Sequence, residues 1–268
     1  MQISSSPQLK PFVRHYLFMD LGTNDTEKLR LFPDASCGLV FLLKRTGAQL
    51  AGHTDHLPDS FVYGQPGRYI DLTFKQDLSF VAVVFQPWGL HHMLGFPATE
   101  ISGQILPAAA IFGTAADRLA DRLAGCQTQP VRVRLLEEFL NAYVEKRRHN
   151  QSIIVPESIR LIRSSHGNVS VQQLAKHMGY TSRHIERSFN KEIGISPKSF
   201  AEVVKLHHFI ALSRLQNPVH LTNMSYEAGY TDLSHLQKAF RRHTGTTPGR
   251  YLLNQHKLAV NLFSLKGW

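Results

Sequence analysis

Cysteine is scarce. Only Cys37 and Cys126 occur in the 268 residues, with no CxxC pair, which excludes a disulfide framework and a thiolate metal quartet. No stretch approaches the run of about eighteen apolar residues that a membrane-spanning helix requires. Met1 to Lys10 lack a basic segment followed by an apolar run, so a soluble, intracellular, cytoplasmic protein is expected, with no membrane partner. The sequence also lacks HExxH, a cupin-like H-x-H and a nucleophile elbow, and the expectation is neither an enzyme nor a cofactor or metal protein. Acidic residues are in deficit, 20 against 30 Lys and Arg. The deficit is local: residues 151–268 hold fifteen basic and six acidic residues, whereas residues 1–150 hold fifteen and fourteen. A basic segment attracts polyanions, although charge alone equally suits a merely soluble surface.

What is present divides near residue 150. From Phe12 to Phe85, short aromatic and β-branched runs (F-V-R-H-Y-L-F-M, G-L-V-F-L-L, S-F-V-Y-G, Y-I-D-L-T-F, S-F-V-A-V-V-F) alternate with Gly, Pro, Asn and Asp, which predicts a strand-rich sandwich or barrel. Flanking helices are expected over Pro87 to Leu94, Asp117 to Leu123 and Val131 to Arg148, the last with Val131, Leu135, Leu136, Phe139, Leu140 and Tyr143 on one face. The polar run from Lys146 to Ser152 suits either a connection between domains or a solvated helix end. Beyond it the pattern is helical throughout: Pro156 to Ser165, Ser170 to His177, a helix capped by Thr181 and ending near Glu192, and a long helix from Pro197 to Leu215 that stops before Pro218. The expected fold is α+β overall. It comprises a regulatory or dimerisation domain over residues 1–150, an all-α domain over residues 151–256 and a tail over residues 257–268.

The all-α half contains its own imperfect copy. Val171, Leu174, Ala175, Gly179, Tyr180 and Thr181 answer to Leu221, Met224, Ser225, Gly229, Tyr230 and Thr231, and Phe189, Gly194, Pro197 and Phe200 answer to Phe240, Gly245, Pro248 and Tyr251. In a helix-turn-helix the second helix lies in the major groove, the turn needs positive φ, and the helices need a small residue where they approach. Gly179 and Gly229 supply the turn, and Ala175 and Ser225 the close approach. Ile185 with Phe189, and Leu236 with Phe240, are i, i+4 pairs that face the core. The opposite face then presents Arg183, Glu186 and Arg187 in the first copy and Leu233, Ser234, Gln237 and Lys238 in the second. Arginine can fork onto guanine, glutamate can accept from cytosine, and leucine can touch a thymine methyl.

With these positions in hand, residues 169–251 resemble the DNA-binding domain of AraC-type transcriptional regulators. The family pattern is matched by Ala175, Gly179, Tyr180, Arg187, Phe189, Gly194, Pro197 and Phe200, and again by Gly229, Tyr230, Asp232, Ser234, His235, Phe240, Gly245, Pro248 and Tyr251. The resemblance implies two helix-turn-helix units on one chain that enter adjacent major grooves of double-stranded DNA, about 34 Å apart. It further implies RNA polymerase, a second copy of the chain and a small-molecule effector as partners. Leu233, Leu236 and Leu252 depart from the family pattern, so the second unit is expected to read fewer bases.

The N-terminal half resembles, less closely, a strand-rich domain of one subset of these regulators, through F-P-D-A-S-C-G-L-V-F from Phe32, Y-G-Q from Tyr63 and V-V-F-Q-P-W-G-L-H-H-M-L-G-F-P from Val83. Tyr63, Trp88, His91 and His92 are its candidate effector-pocket residues, set against the ordinary reading of aromatics as core. The other classes considered are a metal-binding or enzymatic module (His53, His56, His91, His92, Asp34, Asp55, Cys37) tethered to DNA, a redox sensor at Cys37, and a non-specific nucleoid protein.

Overall fold

The computed structural model describes residues 1–21, 28–44, 47–50, 55–74, 77–145, 152–215 and 220–253. The expected domain boundary near 150, His53 and the tail over residues 257–268 lie outside the described residues.

The N-terminal half is a sandwich built from β1 (Gln2–Ile3), β2 (Val13–Leu21), β3 (Lys28–Leu31), β4 (Gly38–Leu42), β5 (Gln49–Leu50), β6 (Ser60–Tyr63), β7 (Ile70–Thr73), β8 (Leu78–Phe85) and β9 (Ile105–Pro107). A six-stranded sheet runs in the order β1-β2-β8-β4-β6-β9 and faces a three-stranded sheet, β3-β7-β5. Every pairing is antiparallel. Strand β8 shows why its sequence is apolar at consecutive positions: all eight residues are buried. Phe80, Ala82 and Val84 face the small sheet, whereas Val81, Val83 and Phe85 face a layer of helices.

That layer is α1 (Gly89–Leu94), α2 (Ala108–Phe112), α3 (Thr114–Gly125) and α4 (Gln129–Val144), with a 3₁₀ turn at Ala98–Glu100 between α1 and β9. Leu119, Leu123, Leu135, Leu136 and Leu140 complete its core. Val131 departs from expectation: at 40% exposure it lies off the buried face, which Val144 extends instead.

The C-terminal half holds α5 (Ile154–Ser164), α6 (Val171–Met178), α7 (Ser182–Glu192), α8 (Pro197–Leu215), α9 (Leu221–Glu227), α10 (Leu233–Thr244) and α11 (Pro248–Leu253). Pro156 sits in the first turn of α5, where its missing N–H costs nothing. Ser170 and Gln173 form a capping box that starts α6, and Thr181 and Asp232 cap α7 and α10 with their side-chain oxygens. The long α8 is buried on more than one side because two cores share it. Phe200, Ala201, Val203 and Val204 belong to the first, with Ile185 and Phe189, and Leu206, Phe209 and Ile210 belong to the second, with Leu236 and Phe240.

Candidate nucleic-acid interface and the domain that holds it

The turn before each second helix is built on glycine. Gly179 has φ +72° and Gly229 φ +83°, a region L side chains rarely adopt. The two copies differ by one residue at this point. Thr181 caps α7 and Asp232 caps α10, so the caps lie fifty-one positions apart while the glycines lie fifty apart, and the extra residue is Thr231.

Counting from the caps aligns the two helices residue by residue. Arg183, Glu186 and Arg187 are exposed on α7, and Ser234, Gln237 and Lys238 are exposed on α10 at the corresponding positions. Leu233 is only half-exposed and packs on the second core, so it presents less outward surface than its sequence position suggests. The alignment also pairs His184 with His235, at the same offset of fifty-one that relates Phe189 to Phe240. Both stand at the third helical position beside an aromatic ring: Tyr180 stacks on His184 at 5.1 Å, and Tyr230 meets His235 edge-on at 5.4 Å. His184 Nδ1 lies 3.4 Å from an Arg187 guanidinium nitrogen and steadies that side chain. The Asp232 carboxyl is held below the usual carboxylate range because it accepts from the backbone N–H of His235.

The far ends of α7 and α10 are both anchored on the N-terminal half. At the end of α7, the His92 Nε2 lies 2.8 Å from a Glu192 carboxylate oxygen, with both side chains almost fully buried. Ser102 donates to the Gly194 carbonyl at 2.9 Å. At the end of α10, Arg30 donates to the Thr244 carbonyl at 3.1 Å, while its other nitrogens fork onto Asp71 at 2.6 and 2.7 Å and its plane covers Tyr69. Between these anchors, the segment after β3 reaches into the C-terminal half. Phe32 inserts into the second core, Ala35 into the first, and the Pro33 carbonyl accepts from His207 of α8 at 2.8 Å.

A cavity of about 70 Å³ lies between the two sheets. Its wall is apolar, with Leu31, Ile70, Leu72, Phe80 and Ala82 among the lining residues, and its polar groups are Asp34 and Tyr63. Burial pushes the Tyr63 hydroxyl upward, so it stays a neutral donor. The four expected pocket residues do not meet there. Tyr63 lines the cavity, but Trp88 bonds to the Pro11 carbonyl and packs on the first core, His91 bonds to the Phe96 carbonyl, and His92 is the partner of Glu192. These three lie on the helical side of the large sheet, where neighbouring elements consume their polar atoms. Cys37 is buried and its thiol is pushed up to about 12 by desolvation, which removes the thiolate that a redox sensor needs. Among the described residues, no three His, Cys, Asp or Glu side chains converge as a metal site, and no helix is long and apolar enough to cross a membrane.

Residues 174–254 match a family described as a helix-turn-helix domain, and residues 1–107 match a domain of unknown function. An uncharacterized HTH-type transcriptional regulator of Bacillus subtilis, YbfI, is 33% identical over 69 residues, 26% of this chain and 24% of the relative. The lactose operon transcription activator of Staphylococcus xylosus is 24% identical over 94 residues, 35% of this chain and 32% of the activator. The chain thus spans about a quarter to a third of the length of these two relatives. The Msm operon regulatory protein of Streptococcus mutans is 20% identical over 243 residues, 90% of this chain and 83% of that protein. Among solved structures, ToxT of Vibrio cholerae O395 superposes with a TM-score of 0.49 at 10% identity, covering 88% of this chain and 98% of ToxT.

Proposed function

We propose that the chain, whose residues 174–254 match a helix-turn-helix domain, is a sequence-specific transcription regulator of the AraC type that docks α7 and α10 in adjacent major grooves. The observation that carries this is the pair of capped helices on one shared α8, each with its core face buried and its polar face open. Arg183, Glu186 and Arg187 read bases, with His184 steadying Arg187. Ser234, Gln237 and Lys238 contribute fewer base contacts and more phosphate contacts, and Leu233 adds a partial apolar one. Residues 1–150 act as the regulatory domain and residues 151–256 as the DNA-binding domain. The inter-sheet cavity takes an apolar small-molecule effector, with Tyr63 as the hydrogen-bonding group. The protein works in the cytoplasm on promoter DNA, regulates RNA polymerase and performs no chemical step itself.

Selection from random duplexes tests the assignment. The wild-type chain should return a motif with two half-sites, and Arg183→Ala or Glu186→Ala should relax the preference at one position by about 1–3 kcal/mol. Identical motifs from wild type and both variants would overturn the assignment of α7 as the base reader.

A further inference from the structure

The glycine that follows each recognition helix occupies the same place in both copies, and both glycines press against the N-terminal half. A Cβ on Gly194 would stand 2.8 Å from the Ala98 carbonyl, and one on Gly245 would stand 2.6 Å from the Tyr69 ring. The supports differ in kind. Gly194 rests on the 3₁₀ turn and Ser102, on the helical side of the large sheet and away from the cavity. Gly245 rests on the β3–β7 pair, which forms part of the cavity wall.

Strand periodicity gives that pair two working faces. In the ladder, Arg30 pairs with Asp71 and Leu31 with Ile70. Leu31 and Ile70 line the cavity, while Arg30 and Asp71, with Tyr69, hold Thr244 and Gly245. Phe32, the residue after β3, lines the cavity and is also buried in the second core. Anything that displaces Leu31 and Ile70 therefore displaces the groups that hold the end of α10. None of the groups that hold α7, namely His92, Ala98 and Ser102, lines this cavity.

We propose that the cavity controls the second reading head selectively, with the β3–β7 pair as the transmitting element and the Arg30 fork as its grip, while the first head stays in a fixed setting. This rests on the proposed function of the two helices as DNA readers. The consequence is one head that is always presented and one whose posture depends on what fills the space between the sheets.

The test uses the full chain and the duplex returned by selection. Ala82→Leu fills the cavity from the large sheet, opposite Leu31 and Ile70. Arg30→Lys keeps a cation for Asp71 but loses the fork that reaches Thr244 at the same time. In hydroxyl-radical footprint titrations, Ala82→Leu should change occupancy of the α10 half-site by about fivefold or more and leave the α7 half-site unchanged. The same substitution on an Arg30→Lys background should produce no further change. Equal changes at both half-sites, or a cavity effect that survives Arg30→Lys, would overturn the proposal. Hydrogen exchange gives a readout that needs neither DNA nor a folded cavity variant. Arg30→Lys should deprotect the amides of α10 and α11 and spare those of α7, and equal deprotection overturns the selective grip. A wild-type chain that returns no motif sinks the DNA-reading proposal instead, and the exchange result still decides whether the grip exists.

Discussion

The two helix-turn-helix copies share a frame and differ in what surrounds it. The first begins with a complete capping box, carries three charged side chains on its reading face and closes its core mostly with its own residues. The second begins at His220, which makes no side-chain cap, and presents Ser234, Gln237 and Lys238, of which only Lys238 is charged. Its core is completed by Phe32 from the other half of the chain. Duplication preserved the positions that make a helix-turn-helix stand up. Divergence then gave the first copy the more charged outward face and the second the larger borrowed side chain, Phe32 against Ala35.

The sharpest way to break this comparison is to remove what the second copy borrows. Phe32 is fully buried, and Phe32→Ala should cost about 3–5 kcal/mol. By hydrogen exchange the loss of protection should concentrate in α9 to α11; uniform loss across α5 to α11 would show that the two copies fold as one unit.

Acid should affect both halves through buried histidines. Desolvation lowers His15, in the sandwich, and His243, at the end of α10, to about 4. The unfolded chain takes up protons near pH 6.5 and the folded chain does not, so stability is present above that pH and falls as the pH drops from 6.5 towards 4. At pH 5 each histidine costs about 2 kcal/mol at most. His243→Gln should flatten the acid limb of a denaturation-against-pH profile, and a limb of unchanged slope would remove His243 from the account.

A smaller effect separates the copies at their first helices. Ser170→Ala removes the capping box and should cost about 1 kcal/mol, whereas His220→Ala, which removes no cap, should cost close to nothing. Equal midpoint shifts in urea would erase the difference.

The C-terminal half was legible because its signals are local. Caps, turn glycines and the 3.6-residue period placed α7 between its Thr181 cap and Glu192, and α8 from Pro197 to Leu215, without any knowledge of tertiary contacts. In the N-terminal half the five apolar runs are strands, but β1, β3, β5 and β9 were invisible. They are short, and their extended form comes from the partner strand rather than from their own composition. The cavity was hidden for a related reason: a strand such as β8, covered on both faces, reads as plain core whether the space beside it is filled or empty. Arg30 carried no signal, because its partners Asp71 and Thr244 lie far along the chain. His184 and His235 did not stand out as a pair, because what distinguishes them is the tyrosine ring beside each, a contact that appears only in the fold. The one-residue change of offset was legible from Phe189 and Phe240, and the structure assigns it to Thr231.

That single residue has a practical consequence. Since Thr231 falls before the cap, the spans from Thr181 to Gly194 and from Asp232 to Gly245 contain equal numbers of residues, each bounded by a side-chain cap and a glycine of positive φ. The recognition helices are therefore interchangeable cassettes, and exchanging their outward residues should transpose the order of the two half-sites along the DNA while the scaffold stays as it is.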